Sequence, residues 1–115
     1  MTIFLIYSSG AIMTLAGLLL YKFPPKEINA LYGYRTSRSM KSQEIWDYSQ
    51  ILGGKALVTL GLVINVILAI CSLFLPLIKL VFVMLFLLIS GCIVMFIFTE
   101  NLLKKKEMEW NEERK

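Results

Sequence analysis

The stretch ALVTLGLVINVILAICSLFL, residues 56–75, decides the fold. It passes without a formal charge, and twenty helical residues rise about 30 Å, the thickness of a bilayer's hydrocarbon core. Pro76 stops the run, and past Lys79 a second one follows, Leu80–Phe98. A third precedes both, Ile3–Tyr21, ended by Lys22 and by Pro24-Pro25, which resist continuation of a helix. Three uncharged runs of this length rarely occur together as buried helices of a soluble protein. The expected class is all-α: a polytopic membrane protein with transmembrane helices over 3–21, 56–75 and 80–98. A polar loop over 22–55 carries short interfacial helices, and a charged tail covers 99–115. The whole chain, 1–115, reads as a single membrane domain.

Composition agrees. Hydrophobic residues make up 57% of the 115 residues and charged ones 17%, against about 45–50% and about 25% in soluble domains. So small a chain cannot hide that much apolar surface, so lipid must cover part of it. The formal charge of +4 comes from basic residues that flank apolar runs, which fits membrane topology and not direct nucleic-acid binding. There is no His, which removes the commonest metal ligand and the usual general base. Cys71 and Cys92 lie within apolar runs and read as packing residues, not as a disulfide framework. The N-terminus lacks the basic region and small-residue cleavage site of a signal peptide, so Ile3–Tyr21 is expected to remain as a span.

Orientation follows from the positive residues. Lys22, Lys26, Arg35, Arg38, Lys41 and Lys55 follow the first span, and Lys104, Lys105, Lys106, Arg114 and Lys115 follow the third. The opposite side holds only Lys79. Eleven against one puts the N-terminus outside and the loop and tail in the cytoplasm of a bacterial cell membrane.

Within the spans the polar residues are Ser8, Ser9, Thr14, Thr59, Asn65, Ser72 and Ser90. Gly10 and Thr14 are four apart, as are Gly61 and Asn65, which suits close helix packing. Asn65 reads first as an interhelical hydrogen bond of about 0.6–2 kcal/mol and second as a ligand contact. No ionisable residue lies inside any span, although proton- and ion-coupled transporters usually need one there. Transport by this chain alone is not expected, and no cofactor or metal is called for.

The polar segment from Pro24 to Trp46 holds most of the basic, aromatic and turn-forming residues outside the tail. Pro24-Pro25 can open a short helix over Lys26–Leu31, with Ile28, Leu31 and Tyr32 facing the bilayer surface. Tyr32-Gly33-Tyr34 reads as a turn, with Gly33 free to take positive φ. A second helix begins at Ser39 or Ser42, both good N-caps, and places Glu44 and Asp47 near its positive end. Ile45, Trp46, Ser49 and Leu52 share a face, and Gly53-Gly54 offers a hinge before the second span. This helix is expected to lie in the interface, with Trp46 and Tyr48 at headgroup level. A plainer reading stands beside it: Arg35, Arg38 and Lys41 as topology determinants and anionic-lipid contacts, and Tyr32, Tyr34 and Trp46 as belt aromatics. Glu44 and Asp47 form no recognisable catalytic site, so no enzyme is expected. In the tail, Glu100 and Lys104 fit an i,i+4 pair that would extend the third span as a charged helix. Trp110 docks either on the membrane or on a protein partner.

Pro24-Pro25, Asn29, Tyr32-Gly33-Tyr34-Arg35-Thr36, Ser39 and Trp46, in that order after one span and before a helical pair, resemble the signature of the SdpI family of bacterial membrane proteins. The resemblance covers roughly residues 18–98. It implies a dual role, since the family's namesake protects the producing cell from a secreted toxic peptide and relays its presence by holding a transcriptional repressor at the membrane. This chain looks like the family's C-terminal module, without the namesake's further membrane-spanning half. The pattern supplies no catalytic residues. The leading expectation is therefore bacteriocin-type immunity, signal relay, or both, with Asn29, Tyr34, Arg35 and Thr36 central. Its expected partners are the lipid bilayer, a toxic peptide, a cytoplasmic repressor and a homo- or hetero-oligomer. The alternatives are a holin-like, pore-forming lysis protein and an accessory subunit of a membrane transporter.

Overall fold

The computed structural model describes residues 2–29 and 31–114; Met1, Ala30 and Lys115 lie outside them. Three helices form: α1 over Thr2–Lys22, α2 over Gln43–Ser72 and α3 over Leu77–Glu113, with no strand among the described residues. Each is long and apolar enough to cross a membrane. The bundle is elongated, 58 × 23 × 19 Å, because α2 and α3 both extend well past their apolar runs at the same end. The chain is an all-α, multi-pass membrane protein.

Glycine decides how α1 meets α2. Gly10 and Gly17 on α1, and Gly54 and Gly61 on α2, are each seven residues apart, so each pair falls on one helix face. A Cβ on Gly17 would stand 2.6 Å from Val58 N and 2.7 Å from Gly54 O; one on Gly61 would stand 2.7 Å from Thr14 N. Backbone therefore approaches backbone, the small-residue mode of membrane helix packing. α3 packs on α2 by side chains instead. Ile6, Ile64, Leu68 and Leu80 form a buried cluster at the α2–α3 hairpin, which Pro76 turns.

Two loop expectations are corrected. The loop helix expected over Lys26–Leu31 does not form: residues 26–29 and 31 are irregular, and Ala30 lies outside the described residues. Asn29 accounts for this, since its Oδ1 accepts from Leu31 N at 2.9 Å and Tyr32 N at 2.8 Å. Such side-chain turns compete directly with helix. The second expected helix is the first part of α2 and is continuous with the span. Ser42 caps it by accepting from Ile45 N, and Gly53-Gly54 lie inside it without a hinge. Their missing side chains serve contacts: Gly53 faces Tyr34, and Gly54 faces α1 at Tyr21 N and Gly17 O.

Candidate functional site

The loop is folded onto the projecting ends of α2 and α3 by a short list of polar side chains. α2 presents Trp46, Ser49, Gln50 and Gly53 at helical spacing on one face, the first three of them fully buried. Trp46 Nε1 donates to Pro25 O at 2.8 Å, which fixes the diproline bend. Trp46 is thus a buried anchor and not the headgroup-level aromatic that its position before the span implied.

One helical turn further on, the Gln50 side chain works as a surrogate backbone. Its Oε1 accepts from Tyr34 N at 2.7 Å and its Nε2 donates to Tyr34 O at 2.8 Å. Gln50 Nε2 also reaches Ser49 Oγ at 3.1 Å, and Ser49 Oγ donates to Trp46 O. Gly33 brings the chain this close. Its φ is +107°, and a Cβ there would meet Pro25 Cγ at 2.8 Å and the Gln50 carboxamide. Both the angle and the space call for glycine. Tyr32 OH donates to Phe23 O at 3.2 Å and closes the loop on the end of α1.

Thr36 and Ser39 form a reciprocal turn. Thr36 N donates to Ser39 Oγ at 2.8 Å, and Ser39 N donates to Thr36 Oγ1 at 3.1 Å. The geometry matches that of a helix capping box, here stabilising a single turn. The Ser39 hydroxyl is fully buried and has the carbonyls of Tyr34 and Thr36 within 3.1 Å as acceptors.

The extension of α3 clasps this loop. Tyr34 OH donates to Glu100 Oε1 at 2.8 Å. Burial, and then the Glu100 hydrogen bond and charge, raise the Tyr34 phenol well above its ordinary value, so it remains the donor at physiological pH. Arg38 Nη1 donates to Glu107 Oε2 at 2.7 Å while its Nε stands 3.5 Å from Glu100, and Lys41 Nζ donates to Glu107 Oε1 at 3.1 Å. Partial burial opposes ionisation of Glu107, but the hydrogen bonds from Lys41 and Arg38, with their charges, outweigh it and hold the carboxyl below its usual range. Leu103 is buried between these acids on the same face. Further out, Trp110 meets Tyr48 edge-on at 5.8 Å, Lys106 lies 5.6 Å from both rings, and Arg114 pairs with Glu44. Glu100 is therefore engaged with the loop and not with Lys104, and Trp110 docks within the chain.

Of the sequence-derived residues, the structure brings Pro25, Gly33, Tyr34, Thr36, Ser39 and Trp46 into one connected unit. Asn29 and Tyr32 shape its edge, Pro24 precedes it, and Arg35 is exposed on its surface. The intramembrane set Gly10, Thr14, Gly61 and Asn65 meets at the α1–α2 seam, apart from the loop; Asn65 Oδ1 is buried there against Gly10 without a hydrogen-bond partner. Gln50, Ser49, Arg38, Lys41, Glu100 and Glu107 complete the loop unit although sequence reasoning did not select them for it. Ser49 and Gln50 carried a signal, since they follow Trp46 by three and four residues.

This geometry can now be set beside known proteins. Residues 26–99, from just after the diproline to the end of the third apolar run, match the SdpI/YfhL protein family. The chain belongs to the SdpI/YfhL family. It is also 40% identical over 102 residues to the uncharacterised protein YfhL of Bacillus subtilis (strain 168), an alignment covering 83% of this chain and 82% of that protein. No solved structure matches. The SdpI/YfhL match takes in the buried anchors Trp46, Gln50 and Ser39 together with Gly33 and Tyr34. It ends just before Glu100, so most of the α3 clasp lies beyond it.

Proposed function

We propose that this SdpI-like membrane protein confers immunity against a membrane-active toxic peptide, relays that peptide's presence to a partner such as a transcriptional repressor, or does both. One observation carries the reading. The loop is held by hydrogen bonds to the buried side chains of Trp46, Ser39 and Gln50 while Leu31 at 91% and Met40 at 38% are exposed beside Arg35 and the half-exposed ring of Tyr32. Apolar side chains displayed on a fixed polar scaffold suit recognition of another surface. By the distribution of Lys and Arg, this surface and the α3 extension lie in the cytoplasm and the N-terminus outside.

Arg35 contributes a planar fork for carboxylate, phosphate or carbonyl groups, which Lys cannot reproduce. The test is survival and membrane polarisation of toxin-sensitive bacteria expressing the chain and challenged with a secreted toxic peptide. Protection by the native chain, lost in Arg35→Lys at equal membrane insertion, is the expected outcome. Lysis on expression without any toxin would instead favour a holin-like protein.

A further inference from the structure

We infer that the face between α2 and α3 is a binding site for one anionic phospholipid, with an acyl chain in the groove and the phosphate at Lys55. A groove of about 420 Å³ runs there from Leu52 to Val63 on α2 and from Leu102 to Gly91 on α3. Eleven helical steps span about 16 Å, close to the depth of one leaflet of a bilayer whose core is roughly 30 Å. Toward the inner end Leu60 lies against Gly91. The outer end lies on the side where the loop and the α3 extension leave the membrane.

The lining is almost wholly apolar, with one charge. Lys55 stands a single turn from the outer end, at the level where the uncharged run of α2 begins. Its Nζ lies 5.8 Å from the centre of the Tyr21 ring, and among the described residues no carboxylate pairs with it. An apolar channel one leaflet deep, with a cation near its mouth that rests on an aromatic ring and that no carboxylate neutralises, complements a molecule with an apolar chain and an anionic head. A second copy's helix would fill the channel without answering the charge, and a free phosphate would answer the charge without filling the channel.

Native mass spectrometry of the full chain, released from detergent with added phosphatidylglycerol or phosphatidylcholine, tests this. The native chain retains one phosphatidylglycerol, preferred about fivefold, the effect of one basic residue at an anionic surface. Lys55→Gln removes the preference and keeps chain binding. Thr59→Phe, which fills the groove from an exposed position, lowers retention of both lipids. Lys79→Gln, at the opposite end of the bundle, changes nothing. Equal retention of the two lipids by the native chain, undiminished binding by Thr59→Phe, a preference that survives Lys55→Gln, or a second protein copy in place of lipid would each overturn the assignment.

Discussion

α2 has two neighbours and treats them differently. Toward α1 it presents Gly54 and Gly61, and the two backbones come within the reach of a methyl group. Toward α3 it presents Leu60, Ile64 and Leu68, which close the hairpin end and leave a groove beyond. Of the most apolar window of each helix, 22% is buried in α1 and in α2 but only 6% in α3. Lipid tails are as apolar as leucine, so large side chains gain little from meeting each other inside a membrane, while backbone apposition gains packing that lipid cannot replace. The α1–α2 seam is thus self-sufficient. α3 depends on contacts beyond its apolar run: Tyr34 and Arg38 to Glu100 and Glu107, and Trp110 against Tyr48.

The sharpest way to break this contrast is to add a side chain on each side of α2. Gly17→Ala drives its methyl carbon into Val58 N and Gly54 O, and a backbone cannot step aside as a side chain can. Its cost should reach about 3 kcal/mol or more, the upper part of the range for overpacking. Gly91→Ala on α3 meets the mobile end of Leu60, and its cost should stay below about 1 kcal/mol, the lower limit of that range. Unfolding by dodecyl sulfate, followed by circular dichroism in mild detergent, measures both. Equal losses would mean that the two faces of α2 are packed alike.

The loop offers a second cut. Gln50→Leu keeps size and removes both hydrogen bonds to Tyr34, leaving its N–H unmatched and its C=O with the Ser39 hydroxyl alone, at about 1–3 kcal/mol. Hydrogen exchange should rise at Tyr34 and through residues 31–40 while the α1–α2 seam keeps its protection. Unchanged exchange at Tyr34 would show that Trp46 and Ser39 hold the loop without Gln50.

What the sequence revealed follows the same division. The three spans were legible because absence of charge over twenty residues has one common explanation. Gly10, Thr14, Gly61 and Asn65 stood out by their four-residue spacing, and they meet at the α1–α2 seam, where Asn65 Oδ1 lacks the hydrogen bond expected of it; Gly17 and Gly54, at seven, complete that face. The loop was harder. Asn29 reads as neutral toward a short helix until its Oδ1 is seen to take two backbone donors. Gly53-Gly54 reads as a hinge, because nothing local says that their missing side chains make room for Tyr34 and α1. Glu100 offered a partner four residues away, Lys104, and the true ones are 62 and 66 residues distant in sequence, at Arg38 and Tyr34. Long-range polar pairs leave no periodic trace, so the clasp had no local signature beyond a stripe of Glu100, Leu103, Glu107, Trp110 and Arg114 along one helix face.

That stripe supplies the smallest and most selective test. Glu107 bonds to Lys41 and Arg38 and its carboxyl lies below the usual range. A group whose folded value is depressed stabilises the fold above its unfolded value and loses that contribution as pH falls through the folded one. The clasp should therefore be intact from neutral pH down to the ordinary carboxylate range and loosen below about pH 4. Glu107 is partly exposed, at 26%, so the effect should be no more than about 1 kcal/mol and should shrink in high salt. Spin labels at the exposed Ser37 and Met108 would report one narrow distance at pH 7 and a broad distribution in acid, with Glu107→Gln broad throughout. Among the described residues no carboxyl group lies in the Gly10–Gly61 seam, so labels across α1 and α2 should keep their distance in the same acid range. A seam that opened together with the clasp would mean that the bundle has a single mode of failure instead of two.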